Sequence, residues 1–320
     1  MVNKVGIIGL GVVGRRTLAN MSAHEDFTVT RGWDPDPEPC AQVVADHAEV
    51  KIGAGAADVI AARDVDMVYV ACPPAYHRDH VLAAIAAEKH VFCEKPLGID
   101  VALSRDLVGR VERSGLKAAV NFVYAAAPGS ALLEERLRAG ALGEVLGVDV
   151  RLHFALWPRP WQARARWLER REQGGFVREV LSHFVFLIGR LLGRPTIAKA
   201  EVRYPSGGEN LAETHVTCTL ACDGVPVSVT AMSGGVGPDQ VELTVWGSQS
   251  SYRLYDWYKL ALSKGGEWSE LPTGAGNPGL EAYTRQLDNL AALLAGEPHT
   301  LPGFREALAV QELIEALLRR

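Results

Sequence analysis

After Met1-Val2-Asn3-Lys4 the chain opens on Val5-Gly6-Ile7-Ile8-Gly9, an apolar, β-branched run of the kind that fills a buried parallel strand. The segment Gly9-Leu10-Gly11-Val12-Val13-Gly14 follows, and residues 15–21 then read as a helix. A second strand, Phe27–Trp33, ends at Asp34. A third, 66–72, is stopped by Pro73-Pro74, which cannot continue a central strand. Residues 76–88 place Val81, Leu82, Ile85 and Ala86 on one helical face. A strand at 90–93 runs into Glu94-Lys95-Pro96, a helix at 100–114 stops at Gly115, and a last strand at 117–120 precedes Asn121. Strands alternating with helices predict an α/β fold, a doubly wound parallel sheet with right-handed crossovers.

Beyond residue 120 the texture changes. A helix at 129–139 is followed by extended runs at 144–154, 197–204, 213–221, 225–232, 240–246 and 251–255. Cys222-Asp223-Gly224 is a tight-hairpin signal between two of them. Short turns between consecutive strands predict a C-terminal α+β domain with a largely antiparallel open sheet. Two helices, 279–295 and 304–320, close the chain. The expected division is 1–121 for a dinucleotide-binding domain and 122–320 for a substrate-binding and oligomerisation domain, which suits a length of 320 residues. The patches Ser206-Gly207-Gly208 and Gly274-Ala275-Gly276 read as surface loops.

Composition narrows the classes. With 48% hydrophobic and 22% charged residues the chain is globular rather than disordered or fibrous. A net charge of -5 gives no general pull toward nucleic acid or an anionic membrane. No apolar run approaches the roughly 18 residues that a bilayer-spanning helix needs. No signal-peptide pattern precedes the first strand. Cys40, Cys72, Cys93, Cys218 and Cys222 are widely spread and lack a CxxC pair. Reduced thiols in a cytoplasmic protein are therefore expected, with neither a disulfide frame nor a metal site.

The glycine segment carries the sharpest signal, because it lies between a strand and a helix with an acid about 20 residues further on. Gly9 permits the tight turn, Gly11 lets the backbone approach a pyrophosphate, and Gly14 lets helix and strand pack closely. The helix N-terminus at Val12 and Val13 offers N–H groups and a positive dipole end to phosphates. Asp34 can accept hydrogen bonds from the adenine-ribose hydroxyls. A 2′-phosphate would face Asp34 and Asp36 together, so NAD is favoured. Arg15 and Arg16 keep NADP open.

Glu94-Lys95-Pro96 after a strand, downstream of this fingerprint, resembles the Gfo/Idh/MocA family of nicotinamide-dependent oxidoreductases. The resemblance covers essentially the whole chain. Ala71-Cys72-Pro73-Pro74-Ala75-Tyr76-His77 is similar to the family's TPNxxH segment, with Pro74 in place of Asn. Asn121 stands where the family often has Asn after its last Rossmann strand. The stretch from Gly174-Gly175 through Glu179 to His183 is similar to the family's glycine-rich element with its Asp and His. The resemblance implies that Cys72, Pro73, His77, Glu94, Lys95 and Asn121 join the glycine turn at the cofactor. It also implies that the nicotinamide lies against the second domain's sheet, with Lys95 and His183 at the reacting carbon. Glu179 replaces the usual Asp, Phe176 the third glycine, and Phe186 and Leu187 stand where an acid often follows the histidine. These departures bear on the substrate and the proton route.

Hydride exchange with a secondary alcohol needs a group that moves the hydroxyl proton and steadies the developing alkoxide. Lys95, at a strand's carboxyl end, is the candidate; a surface lysine paired with Glu94 is the bland reading. Glu179 and His183 are four apart, so on a helix they share a face and the acid can orient the imidazole. A buried helix histidine packed beside Phe184 and Phe186 is the alternative. For His77, a helix-start histidine without catalytic role is the simpler reading. Trp157, Trp161 and Trp167 interleave with Arg159, Arg164, Arg166, Arg170 and Arg171. That pattern suits a sugar-like, anionic or nucleotide-linked substrate, or else a solvated segment or an oligomer contact. Tyr252, Tyr255, Trp257 and Tyr258 form an aromatic-rich strand edge, which fits a homo-oligomeric dimer or tetramer as well as a core. The expected function is NAD(P)-dependent oxidoreduction at a hydroxyl or keto carbon of a sugar or cyclitol. The alternatives are imine reduction and a non-catalytic NAD-binding sensor.

Overall fold

The computed structural model describes residues 2–207, 210–274 and 276–320; Gly208 and Ala275, within the two expected glycine-rich loops, lie outside them. The chain divides into two compact units, Met1–Phe122 with Gln286–Gln311, and Val123–Arg285 with Glu312–Arg320.

In the first unit β1 (Asn3–Ile8), β2 (Phe27–Trp33), β3 (Lys51–Ile52), β4 (Met67–Val70), β5 (His90–Glu94) and β6 (Ala118–Asn121) form one sheet in the order β3-β2-β1-β4-β5-β6. Every pairing is parallel. The order reverses between β1 and β4, and ligands of such sheets bind outside the carboxyl ends at that switch point. Val5, Ile7, Ile8 and Met67 through Val70 are all buried, as expected of strands covered on both faces. The crossovers carry α1 (Val12–Ser22), α2 (Pro37–Asp46), α3 (Ala56–Ala61), α4 (His77–Ala86) and α5 (Val101–Ser114). At α5 the Asp100 carboxylate accepts from Leu103 N (2.9 Å) and Gly115, in the left-handed region at φ 68°, ends the helix. Sequence reading misses α2, β3 and α3. The prolines at 37 and 39 look like a loop, yet Pro37 opens α2 in a position that needs no N–H, and Asp36 accepts from Glu38 N (3.0 Å).

The expected boundary at 121/122 lies one residue from the observed break, but 122–320 is not a single stretch. Residues 286–311 return to the first unit, where Pro302 O accepts from Val120 N (3.0 Å) and Arg305 forks onto Glu112 (2.6 and 2.8 Å). Helical periodicity reports that this segment buries a face, and says nothing about which core receives it.

The second unit begins with α6 (Pro128–Arg138), β7 (Val145–Phe154) and α7 (Ser182–Leu192). β8 (Thr196–Arg203), β9 (His215–Cys222), β10 (Val225–Ser233), β11 (Gln240–Gly247), β12 (Ser251–Tyr255), β13 (Lys259–Ser263) and β14 (Ser269–Leu271) follow. They form an eight-stranded sheet ordered β14-β13-β12-β11-β7-β10-β9-β8, antiparallel except where β7 meets β10. One face is buried through Val148, Val150 and Leu152, Val216, Cys218 and Leu220, and Val227, Val229 and Ala231, in strict alternation with more exposed positions. The short strands β13 and β14 have too little alternation to stand out in the sequence. The chain ends in α8 (Pro278–Ala295) and α9 (Phe304–Leu317). All five cysteines are free thiols, and among the described residues no helix is long and apolar enough to cross a membrane.

A buried ion pair closes the second unit. Arg178 donates through Nε and Nη2 to both carboxylate oxygens of Glu315 (2.6 and 2.9 Å), and through Nη1 to the carbonyls of Arg171 and Gly174 (2.8 and 2.9 Å). Removing one partner leaves an uncompensated buried charge. Glu315→Ala is expected to lower stability by about 3–5 kcal/mol in urea unfolding. The double change Arg178→Met, Glu315→Leu is expected to recover part of that loss.

Candidate active site

The carboxyl edge of the parallel sheet gathers the residues expected to hold a dinucleotide. Gly9, just past β1, sits at φ 96°, where a side chain would meet the Ala71 backbone at 2.6 Å. A Cβ on Gly14 would run into the Gly9 carbonyl oxygen, so helix and turn touch backbone to backbone. Gly11 is different. A Cβ there meets nothing within 4 Å, and its space stays open. Gly11 caps α1 with no side-chain hydrogen bond, and the first turn holds no acid. The opening N–H groups of α1, from Val12 and Val13 onward, have no partner within the helix ladder and carry its positive dipole end, which with the room beside Gly11 suits a pyrophosphate. At the end of β2 the Asp34 carboxylate accepts from Leu10 N (2.7 Å) and Asp36 N (2.9 Å). It ties the glycine turn to β2 and keeps lone pairs for a ribose hydroxyl.

Cys72 and Pro73 follow β4, Lys95 follows β5, and Asn121 ends β6. Burial pushes the Cys72 thiol up to about 12, so it is neutral. Lys95 is 9% exposed and its bond to Pro96 is cis. A solvated surface lysine is therefore excluded. The Glu94 carboxylate accepts from Tyr69 Oη (2.5 Å) and Asn121 Nδ2 (2.6 Å). His77 stands apart from the expectation for it. It is fully buried, with Nδ1 2.9 Å from Pro96 O and Nε2 2.8 Å from Cys72 O. Burial pulls its pKa down to about 4, leaving a neutral ring whose single N–H serves one carbonyl at a time. With both nitrogens turned onto backbone, His77 staples the turn after β4 to the turn after β5 rather than facing a cofactor.

In the second unit one π-helical turn, Val177–Leu181, leads into α7 and carries Arg178 and Glu179; His183 lies in α7. Such turns are frequent at functional sites. The two glycines before it have separate packing reasons. A Cβ on Gly174 would strike the Trp167 carbonyl oxygen, and one on Gly175, at φ 94°, would strike the Glu213 carboxylate. Glu213 accepts from Val177 N (2.7 Å) and so caps this helix; its burial raises the carboxyl to about 7. Phe176, in place of a third glycine, is buried edge-on against Trp157 (6.0 Å).

Glu179 accepts from Gln162 Nε2 (3.1 Å) and lies 4.0 Å from Arg159 Nη2, while Gln162 Oε1 accepts from Arg159 Nε (2.9 Å). Arg159 is buried among four rings, those of Phe154, Trp157, Trp161 and Trp257, at 4.6–5.8 Å. The other four arginines of that stretch are exposed, and Arg171 stacks on the Tyr204 ring (3.7 Å). His183 is buried and packs edge-on against Tyr124 (6.1 Å) and Trp257 (6.0 Å). Trp257 is the residue that sequence reasoning misplaced. Within the presumed aromatic edge, Tyr252 is core and Tyr255 bonds Glu270, whereas Trp257 turns from a hairpin tip toward His183 and Arg159. Its φ of 69° is strained for a tryptophan, by about 1–2 kcal/mol. Asp256, which tolerates that region, was the one local signal. Among the described residues no group of three or more His, Cys, Asp or Glu could hold a metal ion.

A parallel sheet in this order, with an open glycine turn and a buried Lys95 at its carboxyl edge, defines a dinucleotide-binding domain. The chain belongs to the Gfo/Idh/MocA oxidoreductase family: residues 3–122 match its NAD-binding Rossmann fold and residues 134–320 its C-terminal alpha/beta domain. An inositol 2-dehydrogenase from Acidothermus cellulolyticus is 33% identical over 45% of this chain and 42% of its own length. An uncharacterized oxidoreductase from Streptococcus pneumoniae is 22% identical over 79% of this chain and 62% of its own. The chain thus spans about half the length of the curated relatives it matches. A 3-ketoreductase from Actinomadura kijaniata, solved with NADP and TDP-benzene, shares the fold at a TM-score of 0.85 and 19% identity, covering 99% of this chain and 97% of that one.

Glu213 makes a signed pH prediction. Its unfolded carboxyl titrates near 4.5 and its folded one near 7. The stability that its neutral form confers is complete below the lower value and is lost as pH rises through the upper one. Across that window the loss is about 3 kcal/mol. Glu213→Gln keeps an acceptor for Val177 N and removes the titration. Its melting temperature, relative to the natural protein, is expected to rise from pH 5 to pH 8; a constant difference contradicts the assignment.

Proposed function

We propose that the protein is an NAD(P)-dependent oxidoreductase exchanging a hydride with a hydroxyl or keto carbon of a sugar, cyclitol or related polar molecule. The observation that carries this is Lys95, buried at the same sheet edge as the open glycine turn. The nicotinamide, when bound, supplies or accepts the hydride. Lys95 gives a proton to the carbonyl oxygen on reduction, or takes it from the hydroxyl on oxidation, and its positive charge steadies the alkoxide. His183 assists that proton transfer. Gly11 and the α1 N-terminus hold the pyrophosphate, and Asp34 accepts from the adenine ribose.

Glu179, Gln162 and Arg159, walled by tryptophan and phenylalanine rings, suit a hydroxylated ring that stacks on an aromatic face and bonds through its edges. An anionic substrate draws less support than the sequence suggested, because Arg159, the buried arginine of the tryptophan–arginine stretch, already stands beside Glu179. A homo-oligomer built on the solvent-facing surface of the second unit's sheet belongs to the same reading. A monomeric mass by light scattering would remove it.

Purified protein with NAD or NADH and a panel of polyols and keto-sugars is expected to change nicotinamide absorbance. Lys95→Met is expected to lower kcat by about 10²–10⁴ with coenzyme affinity retained. Binding without turnover on any panel member favours the sensor instead. Coenzyme choice follows from the carboxylates beyond β2. NADH is expected to bind at least about tenfold more tightly than NADPH, a difference near 1.4 kcal/mol, and Asp34→Ala to narrow that ratio.

A further inference from the structure

Four hydrogen bonds inside the first unit join α1, three strands and the returning C-terminal segment. Thr17 Oγ1 donates to Tyr69 Oη (3.2 Å), and Tyr69 Oη donates to Glu94 Oε1 (2.5 Å). Asn121 Nδ2 donates to the same oxygen (2.6 Å), and Gln286 Nε2 donates to Asn121 Oδ1 (2.7 Å). Strand register dictates the middle of this chain. Tyr69 is paired with Phe92 and Glu94 with Asn121, so Tyr69, Phe92, Glu94 and Asn121 share one face of the sheet. The Tyr69 ring is fully buried and stacks on Phe92 (5.4 Å, 27°), which fixes its direction along β5 toward Glu94 two residues on.

We propose that Tyr69 is a positioning residue for coenzyme binding. Its hydroxyl aims the Glu94 carboxylate, and through it the turn that presents Lys95, at the carboxyl edge where the nicotinamide half of the coenzyme must lie. The proposal rests on the coenzyme reading above. A hydroxyl donating to a carboxylate is a strong, directional contact, more so when the donor itself accepts from Thr17. Tyrosine at a buried strand position is otherwise costly unless its hydroxyl is used. The Asn121 amide holds the same oxygen from the other side, and Gln286 orients that amide. The carboxylate is thereby set before any ligand arrives, and such preorganisation shows in affinity rather than in folding.

The test is NADH binding, followed by nicotinamide fluorescence, for the natural protein, Tyr69→Phe, Glu94→Ala and the double variant. Tyr69→Phe is expected to weaken NADH about tenfold, the scale of one charge-assisted hydrogen bond. Its melting temperature should fall by no more than about 4 °C. In the Glu94→Ala background the same change is expected to have no further effect, because tyrosine acts through the carboxylate. Thr17→Val, isosteric and one bond further back, is expected to weaken NADH about two- to fivefold, and it decides the matter if Tyr69→Phe does not fold. NADH affinity unchanged within twofold in the folded variants overturns the proposal. So does a tyrosine effect that persists without Glu94. Failure of the natural protein to bind NADH and NADPH removes the coenzyme reading and this proposal together.

Discussion

Where Gly14 of α1 presses on the carbonyl of Gly9, no side chain fits, and the nucleotide-binding half of the molecule is organised around that contact. It brings the N-terminus of α1 to the carboxyl end of β1 and leaves Gly11 facing open space. Asp34 reinforces it from β2 by accepting from the backbone of Leu10. The parallel sheet then repeats the logic at its other strands. Each crossover returns to the same edge, so Cys72, Lys95 and Asn121 arrive there from positions far apart in the chain. His77 joins the turn at Cys72 to the turn at Lys95, and Tyr69 joins α1 to the end of β5. Their buried hydrogen bonds are worth more as alignment than as stability.

The second unit offers a different kind of order. Its sheet buries one face only, and its chemistry collects where the hairpin tip with Trp257, the π-helical turn and the arginine–tryptophan stretch come together. A buried guanidinium ringed by aromatic faces and held beside a carboxylate is expensive unless each polar edge is used. The strained backbone at Trp257 points the same way, because such conformations persist where the surroundings fix them for a purpose.

Much of this was legible in the residues. The glycine turn and Asp34 stood out by residue type and by their place at strand ends, and Lys95 through the resemblance carried by Glu94-Lys95-Pro96; the fold brings all three to the carboxyl edge of one sheet. Helix and strand periods located most elements. Other features depend on partners that period and spacing do not name. Helical patterning of 304–320 could not say that residues 304–311 pack with the first unit and the remainder with the second. Spacing could not tell that Arg159 alone among five arginines turns inward, nor that both nitrogens of His77 meet backbone. Trp257 was visible only as an aromatic near a strand end, since φ is not written in a residue name. The π-helical turn likewise left no periodic trace.

Coenzyme binding in this reading depends on the open space at Gly11. A Cβ there meets nothing within 4 Å and its φ of -61° is ordinary, so Gly11→Asp should leave the fold intact. Calorimetric titration with NADH is the direct measurement. Saturable heat from the natural protein, with none from an equally stable Gly11→Asp variant, is the predicted result. Equal binding by both proteins would contradict it.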